Sequence, residues 1–172
     1  MKTILFKPEL LKKVMSGDKT QALRVIKPQP KIIEHDDIGY HIEWKSLQVD
    51  FCSDLLPCSP FQPGDIVGCK EAWKPILLGV PGYNQQRGII YKIDDKDRAI
   101  EPQQKHLNQW LKYFNNGHWA TPIFMPHEFI RTKIKILEAN VWIKPWDSIN
   151  DKKGFSWNSN PWCWKYKFEV QK

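Results

Sequence analysis

The segment SGDKTQALRV, residues 16–25, brings a glycine, a lysine and an arginine together in a short turn that leads into a predicted strand. Side chains alternate between the two faces of a strand, so Thr20, Ala22 and Arg24 should share one face. Lys19 then lies at the mouth of the turn. Two cations at the edge of one strand face form half of a site, either for catalysis or for binding.

Glu71 is the second group that could do chemistry. In DIVGCKEAW, residues 65–73, strand alternation places Val67, Cys69, Glu71 and Trp73 on one face. Burial among apolar neighbours raises the pKa of a carboxyl group unless a cation pairs with it. Two interpretations stay open. Glu71 is either a proton-transferring group or half of a structural ion pair, with Arg24 or Lys19 as the partner.

The composition favours a folded protein with an anionic partner. The chain has 172 residues, nine tryptophans, a formal net charge of +7 and a pI near 9.2. Aromatic richness argues against a disordered chain, and nucleic acid is the commonest partner of a basic protein. A solvated lysine surface explains the charge equally well. No apolar run approaches the length of a membrane span, and the N-terminus has no secretory signal pattern. We therefore expect a cytoplasmic protein that does not bind membranes.

The four cysteines, Cys52, Cys58, Cys69 and Cys163, include no C-x-x-C pair. Structural zinc sites usually contain such pairs. We therefore expect no metal and no cofactor, and we interpret the cysteines as small apolar residues.

Periodicity places the remaining elements. A first strand at 1–6 precedes a helix that starts at Pro8 and ends before Gly17. Residues 27–62 are proline-studded, with a strand at 39–44, and residues 75–87 are predicted to be a loop. A second helix runs from Pro102 to Gly117, with its apolar face formed by Leu107, Trp110, Leu111 and Phe114.

Two alternating strands follow, at 130–136 and at 162–170. In the second of them, one side carries Trp162, Trp164, Tyr166, Phe168 and Val170, and the other side carries Cys163, Lys165, Lys167 and Glu169.

At this point the sequence resembles a known family. The pattern G-x-K-x-x-(E or T)-x-R entering a strand is the mark of the ASCH domain, whose fold is similar to the PUA domain. The likeness to a version common in phages and prophages extends over four segments. They read ILFKPELLKKVMSGDKTQALRVIKPQP (4–30), FQPGDIVGCKEAW (61–73), HWATPIFMP (118–126) and WNSNPWCWKYKFEV (157–170). The resemblance implies an α+β fold with a PUA-like open β-barrel and short helices packed on it. It also implies one domain over residues 1–172, with insertions around 31–58 and 75–117.

The resemblance also implies roles for individual residues. The family lysine corresponds to Lys19 and the family arginine to Arg24, beside a cleft bounded by residues 17–24. Some ASCH proteins are amidohydrolases that deacylate N4-acetylcytidine, in which a lysine activates a threonine or a water and a glutamate moves the proton. Glu71 suits the glutamate role chemically. Ala22 stands at the family's threonine or glutamate position and has no side-chain nucleophile, so Thr20 would have to act in its place. The segment HWATPIFMP resembles a family turn that ends in IHMP, and the histidine of that turn is replaced here by Phe124.

A binding role needs only a basic rim and aromatic faces, and we prefer it because Ala22 carries no reactive group. The predicted ligand is RNA or a modified nucleotide, without a cofactor. The predicted contacts are Gly17, Lys19, Arg24 and Lys27 at the cleft, Trp73, Trp119 or Trp162 for base stacking, and an outward-facing stripe of Arg131, Lys133 and Lys135. The alternatives are an amidohydrolase or ribonuclease using Lys19 with Glu71 and Thr20, and a phage accessory module that binds a protein partner.

Overall fold

The protein is described by a computed structural model that covers residues 1–35, 40–143 and 161–171. It is a mixed α+β protein built mainly of strands, as the sequence predicts at the level of fold class. The strands are β1 (Lys2–Leu5), β2 (Gln21–Val25), β3 (Lys31–His35), β4 (Tyr40–Trp44), β5 (Leu47–Val49), β6 (Ile66–Lys70), β7 (Trp73–Val80), β8 (Tyr83–Tyr91), β9 (Asp97–Ala99), β10 (Thr132–Ile143) and β11 (Trp162–Gln171). The helices are α1 (Pro8–Ser16) and α2 (Gln104–Asn116), with 3-10 turns at Cys52–Cys58, Pro122–Phe124 and His127–Phe129.

The chain groups into two compact units, each assembled from separate segments. The first unit contains Met1–Lys19, Ile66–Ile134 and Val170–Lys172, and the second contains Thr20–Asp65 and Lys135–Glu169. The two units are defined by which residues lie close together in space. They do not test the prediction that residues 1–172 form a single domain. Within the described part of the chain, no helix is long and apolar enough to cross a membrane.

Helix α1 of the first unit begins and ends where the sequence predicts. Proline occupies the first turn, and Leu11 and Val14 form the buried face. Gly17 adopts the left-handed conformation with φ of 87°, and its N–H donates to the carbonyl of Val14 at 3.0 Å. Glycine is favoured there because residues with a Cβ are disfavoured at this φ. Strand β1 pairs in parallel with β6, with Ile4 opposite Cys69.

The rest of the first unit is an antiparallel sheet, β7–β8–β9, covered by α2. Its core is a cluster that includes Trp73, Ile89, Tyr91, Trp110 and Phe129, all at most 2% exposed. Helix α2 ends at Gly117, as predicted, and Leu111 is more exposed, at 39%, than the predicted apolar face implies.

The loop predicted at 75–87 is wrong, because β7 and β8 form a hairpin across it. The glycines and proline that suggested a loop, Gly79, Pro81 and Gly82, occupy only a bulge and a tight turn. Strand β7 lies at the edge of its sheet, where Pro75 is tolerated because no strand on its outer side needs a hydrogen bond from the missing N–H.

Substitution of Gly79 should destabilise this hairpin. Gly79 has φ of 100°, and a Cβ added there would lie 2.4 Å from the carbonyl oxygen of Asn84. We expect Gly79→Ala to lower the free energy of unfolding by about 2 kcal/mol or more in urea titrations. Gly82→Ala is the matched control, since Gly82 also has positive φ, 76°, but has open space around it. Equal losses for the two variants would show that the contact with Asn84 is unimportant.

The second unit contains β2, β11 and most of β10, which lie side by side in the order β10–β11–β2. Strands β11 and β2 are antiparallel, with Tyr166 opposite Ala22 and Trp164 opposite Arg24. The shared face predicted for β11 is confirmed at Trp162, Trp164, Tyr166 and Phe168, which are at most 7% exposed, whereas Val170 on the same side is half-buried. Cys163, predicted to point the other way, is also fully buried, and burial raises the pKa of its thiol to about 11.

The two predicted insertions form sheets of their own. Residues 31–58 contain the antiparallel sheet β3–β4–β5 and a 3-10 turn, and residues 75–117 contain most of β7–β8–β9 with α2. Strand β4 agrees with the strand predicted at 39–44, except that Gly39 lies outside the described residues. Residues 157–160 of the last resemblance segment also lie outside them.

Candidate nucleic-acid interface

Glu71 is one half of a buried ion-pair network in the first unit. Its side chain is 1% exposed, and both of its carboxylate oxygens accept hydrogen bonds from Arg131, each at 2.9 Å. The same guanidinium donates to both oxygens of Asp94, at 2.8 and 3.0 Å. Its Cζ also lies 3.9 Å from the ring centroid of Tyr91. The structural ion pair anticipated for Glu71 is therefore present, with Arg131 as the partner instead of Arg24 or Lys19.

Electrostatics in this network follow from burial and pairing. Burial raises the pKa of Glu71, and the hydrogen bonds from Arg131 limit that rise. Hydrogen bonding from Arg131 also lowers the pKa of Asp94. The pKa of Arg131 lies well above its ordinary value, because the bonds to Glu71 and Asp94 outweigh the opposing effect of burial. The bidentate contact with Arg131 favours the ionised form of Glu71, and the guanidinium that holds it does not titrate.

Arg131 consequently departs from the predicted outward stripe. Its side chain is 17% exposed, whereas Lys133 is exposed and Lys135 is half-buried. The stripe is not one surface within either unit, because Lys133 belongs to the first unit and Lys135 to the second.

The predicted cleft segment is divided in the same way. In the first unit, the turn after α1 is closed by a hydrogen bond from the N–H of Lys19 to the carbonyl of Lys13 at 2.8 Å. Ser16 donates to the carboxylate of Asp18 at 2.6 Å. Gly17 is exposed and the Lys19 side chain is half-buried, so this turn presents its lysine beside a glycine at the surface.

In the second unit, Thr20 and Lys27 are exposed and Arg24 is half-buried. Ala22 is 4% exposed, opposite the fully buried Tyr166, whose hydroxyl lies 2.8 Å from the hydroxyl of Ser59. Position 22, where the resemblance would place a reactive side chain, therefore carries a methyl group in a packed core.

Of the three tryptophans predicted to stack on a base, two are core residues. Trp73 is fully buried, with ring centroids of Phe129 at 4.9 Å and Tyr113 at 5.5 Å. Trp162 is 7% exposed. The prediction of a stacking role is wrong for these two as they are placed here, because neither presents a ring face to solvent. Trp119 is half-buried, and the ammonium of Lys92 lies 5.8 Å from its ring centroid.

Positive charge is distributed unequally between the two units. The first unit holds 16 of the 26 lysines and arginines but only 8 of the 19 aspartates and glutamates. The second unit holds 10 basic and 11 acidic residues. The whole excess of positive charge therefore belongs to the first unit.

Residues 102–127 of the first unit contain no acidic residue. This segment carries α2 and the turn that follows it, with Lys105, Lys112 and three histidines. It also carries Trp119 and the exposed Phe124. Sequence reasoning missed the segment as a site, although the absence of acids between Glu101 and Glu128 was visible. A cationic surface with exposed aromatic rings has the properties needed to bind phosphates and bases together.

Comparison with known proteins yields no relative. No protein-family model, no curated protein and no solved structure matches the chain.

Proposed function

We propose that this protein is an ASCH-type, PUA-like protein that binds RNA or a modified nucleotide through the surface of its first unit. The observation that carries the proposal is the unequal division of charge, 16 basic against 8 acidic residues in the first unit. A concentrated positive field attracts polyanions and accelerates their association.

The surroundings of Trp119 support a nucleic acid over a simple anion. Trp119 is half-buried, and the ammonium of the exposed Lys92 lies 5.8 Å from its ring centroid. A base stacked on an aromatic ring gains about 1–3 kcal/mol, whatever its sequence. The lysine beside the ring supplies a contact for the adjoining phosphate.

The ion pair of Glu71 supports binding over hydrolysis. A general base must be able to reach the proton that it removes. Both oxygens of Glu71 are held by Arg131, and the side chain is almost fully buried. Ala22 adds no nucleophile, since it is packed opposite Tyr166.

The proposal predicts salt-dependent binding of single-stranded RNA. Fluorescence anisotropy of a labelled oligonucleotide should show an affinity that falls steeply between 50 and 300 mM salt, with each phosphate contact adding about 0.7 to the logarithmic slope. Lys92→Gln should weaken binding and reduce that slope by about 0.7. Lys31→Gln is the matched control, because Lys31 is also exposed but belongs to the second unit. Absence of binding at low salt, or an equal effect of the two variants, would contradict the proposal.

The hydrolase alternative is tested with the same preparation. N4-acetylcytidine is incubated with the protein, and mass spectrometry measures its conversion to cytidine and acetate. We expect no conversion. Turnover by the wild type that disappears in Glu71→Gln would replace the binding proposal with the hydrolytic one.

A further inference from the structure

The turn after α2 exposes two large apolar side chains at its tip. Ile123 is 61% exposed and Phe124 is 56% exposed. Their neighbours Met125 and Phe129 are at most 1% exposed and belong to the core cluster of the first unit. The turn is therefore anchored from beneath, and its exposed side chains do not belong to a detached loop.

Two flanking elements fix the backbone of this tip. Lys70, at the end of β6, donates from Nζ to the carbonyl of Ile123 at 3.0 Å. Gln109, on α2, donates from its side-chain amide to the carbonyl of Phe124. The N–H of Phe124 also closes the turn onto the carbonyl of Thr121 at 3.1 Å. A turn whose backbone is fixed in this way loses less conformational entropy on ligand binding than a mobile loop would.

The surroundings of the tip are cationic. The charges that act on His127 include those of Lys70 and Lys105, and both lower its pKa after the larger effect of burial. Burial also lowers the pKa of Lys70. The acid of this turn, Glu128, accepts a hydrogen bond from the N–H of Gln103 at 3.1 Å, and one of its oxygens lies 3.1 Å from Nδ1 of His106. This carboxylate is therefore engaged by the backbone of Gln103 and lies against the imidazole of His106.

We infer that the tip formed by residues 122–127 is a nucleotide-binding point of the RNA-binding surface, with a base stacked on Phe124 and the adjoining phosphate held by the charge of Lys105 and by an N–H of the neutral His127 ring. This inference rests on the proposed function and names a contact point within it. An exposed phenyl ring with adjacent cations fits a base and its phosphate, because nucleic-acid sites combine a stacking platform with a positive groove. An apolar protein partner would match Ile123 and Phe124 but would leave the surrounding cations without a counter-charge.

The test measures binding of a labelled single-stranded oligouridine by three single-residue variants. Phe124→Ala should weaken binding by about 5- to 150-fold, the range expected for loss of one stacked base. Phe124→Tyr should retain affinity, because the ring remains. Tyr83→Ala is the control, since Tyr83 is an aromatic residue of the same unit that is 73% exposed. Lys105→Gln should reduce the salt slope by about 0.7.

The possible results distinguish failure of this inference from failure of the proposed RNA-binding function. If the wild type binds no RNA, the proposed function fails and this inference fails with it. If the wild type binds RNA but Phe124→Ala behaves like Tyr83→Ala, only the stacking point is overturned. If Phe124→Ala and Phe124→Tyr both lose affinity, base stacking is contradicted, because tyrosine keeps the ring. That result would favour an apolar protein partner that contacts Ile123 and Phe124.

Discussion

Replacement of Arg131 by methionine is expected to lower the free energy of unfolding by about 3–5 kcal/mol at neutral pH. Arg131 supplies two hydrogen bonds to Glu71 and two to Asp94. Methionine fills similar space but leaves the carboxylate of Glu71 buried without a counter-charge. Removal of one partner of a buried pair costs far more than the net contribution of the pair, because the remaining charge is desolvated.

The loss should depend on pH in a defined direction. Burial raises the pKa of Glu71 in the folded protein, and loss of Arg131 removes the interaction that opposes this rise. A carboxyl group whose folded pKa exceeds its unfolded pKa destabilises the fold as pH rises through that interval. Arg131 lowers the pKa of Asp94, so Asp94 stabilises the wild type above its unfolded pKa and loses this effect as pH falls. The difference in free energy of unfolding between Arg131→Met and the wild type should therefore become smaller as the pH falls from 7 to 4.

Two controls distinguish the unpaired charge from lost packing. Lys133→Met, two residues further along the chain at an exposed position, should change stability by less than about 0.5 kcal/mol. The double variant Glu71→Met, Arg131→Met should regain much of the loss, because an apolar pair leaves no buried charge. A double variant as unstable as Arg131→Met, with no narrowing at low pH, would show that shape and not charge determines the effect. Urea titrations at each pH provide the measurement.

Trp73→Ala is expected to cost about 3–5 kcal/mol, as for other large aromatic residues removed from a packed core. Trp73 is fully buried, and its ring makes edge contacts with Tyr113 and Phe129. No hydrogen-bond partner for its indole N–H lies among the described residues. Both substitutions remove this unsatisfied buried donor, but Trp73→Phe should cost less than the alanine change because it leaves a much smaller cavity.

The matched control for Trp73 is Trp119, a half-buried tryptophan of the same unit. Trp119→Ala should cost about 1 kcal/mol or less in stability, while weakening RNA binding under the proposed function. Thermal unfolding and anisotropy measured on the two alanine variants check both statements. Equal losses of stability would show that Trp119 is as much a core residue as Trp73.

Local signals in the sequence predicted the parts of the fold that local chemistry determines. Helix α1 ends at Gly17 and α2 at Gly117, because glycine readily adopts the left-handed conformation at a helix end. The alternation of large aromatic and charged residues in β11 likewise identified its buried face. The hairpin of β7 and β8 was missed because its glycines and proline are typical of loops.

The partner of Glu71 could not be predicted, because Arg131 lies 60 residues further along the chain and the contact depends on tertiary packing. Alternation also gave the wrong environment for Arg131. Arg131 precedes the first residue of β10, Thr132, so the hydrogen bonds of the sheet do not fix the direction of the Arg131 side chain. The importance of residues 102–127 depends on which face α2 and the following turn present to solvent, and composition alone does not decide this.

The division of the chain into interleaved segments has a consequence for anyone who wishes to study one unit alone. The first unit takes three separate stretches of sequence and the second takes two, and β10 crosses from one to the other between Ile134 and Lys135. Neither unit can be cloned as a contiguous fragment, and deletion of either predicted insertion removes all or most of a sheet. The basic surface of the first unit and the tip at residues 122–127 must therefore be tested by single substitutions in the full chain. Truncation would remove the strands that support them as well as the surface residues.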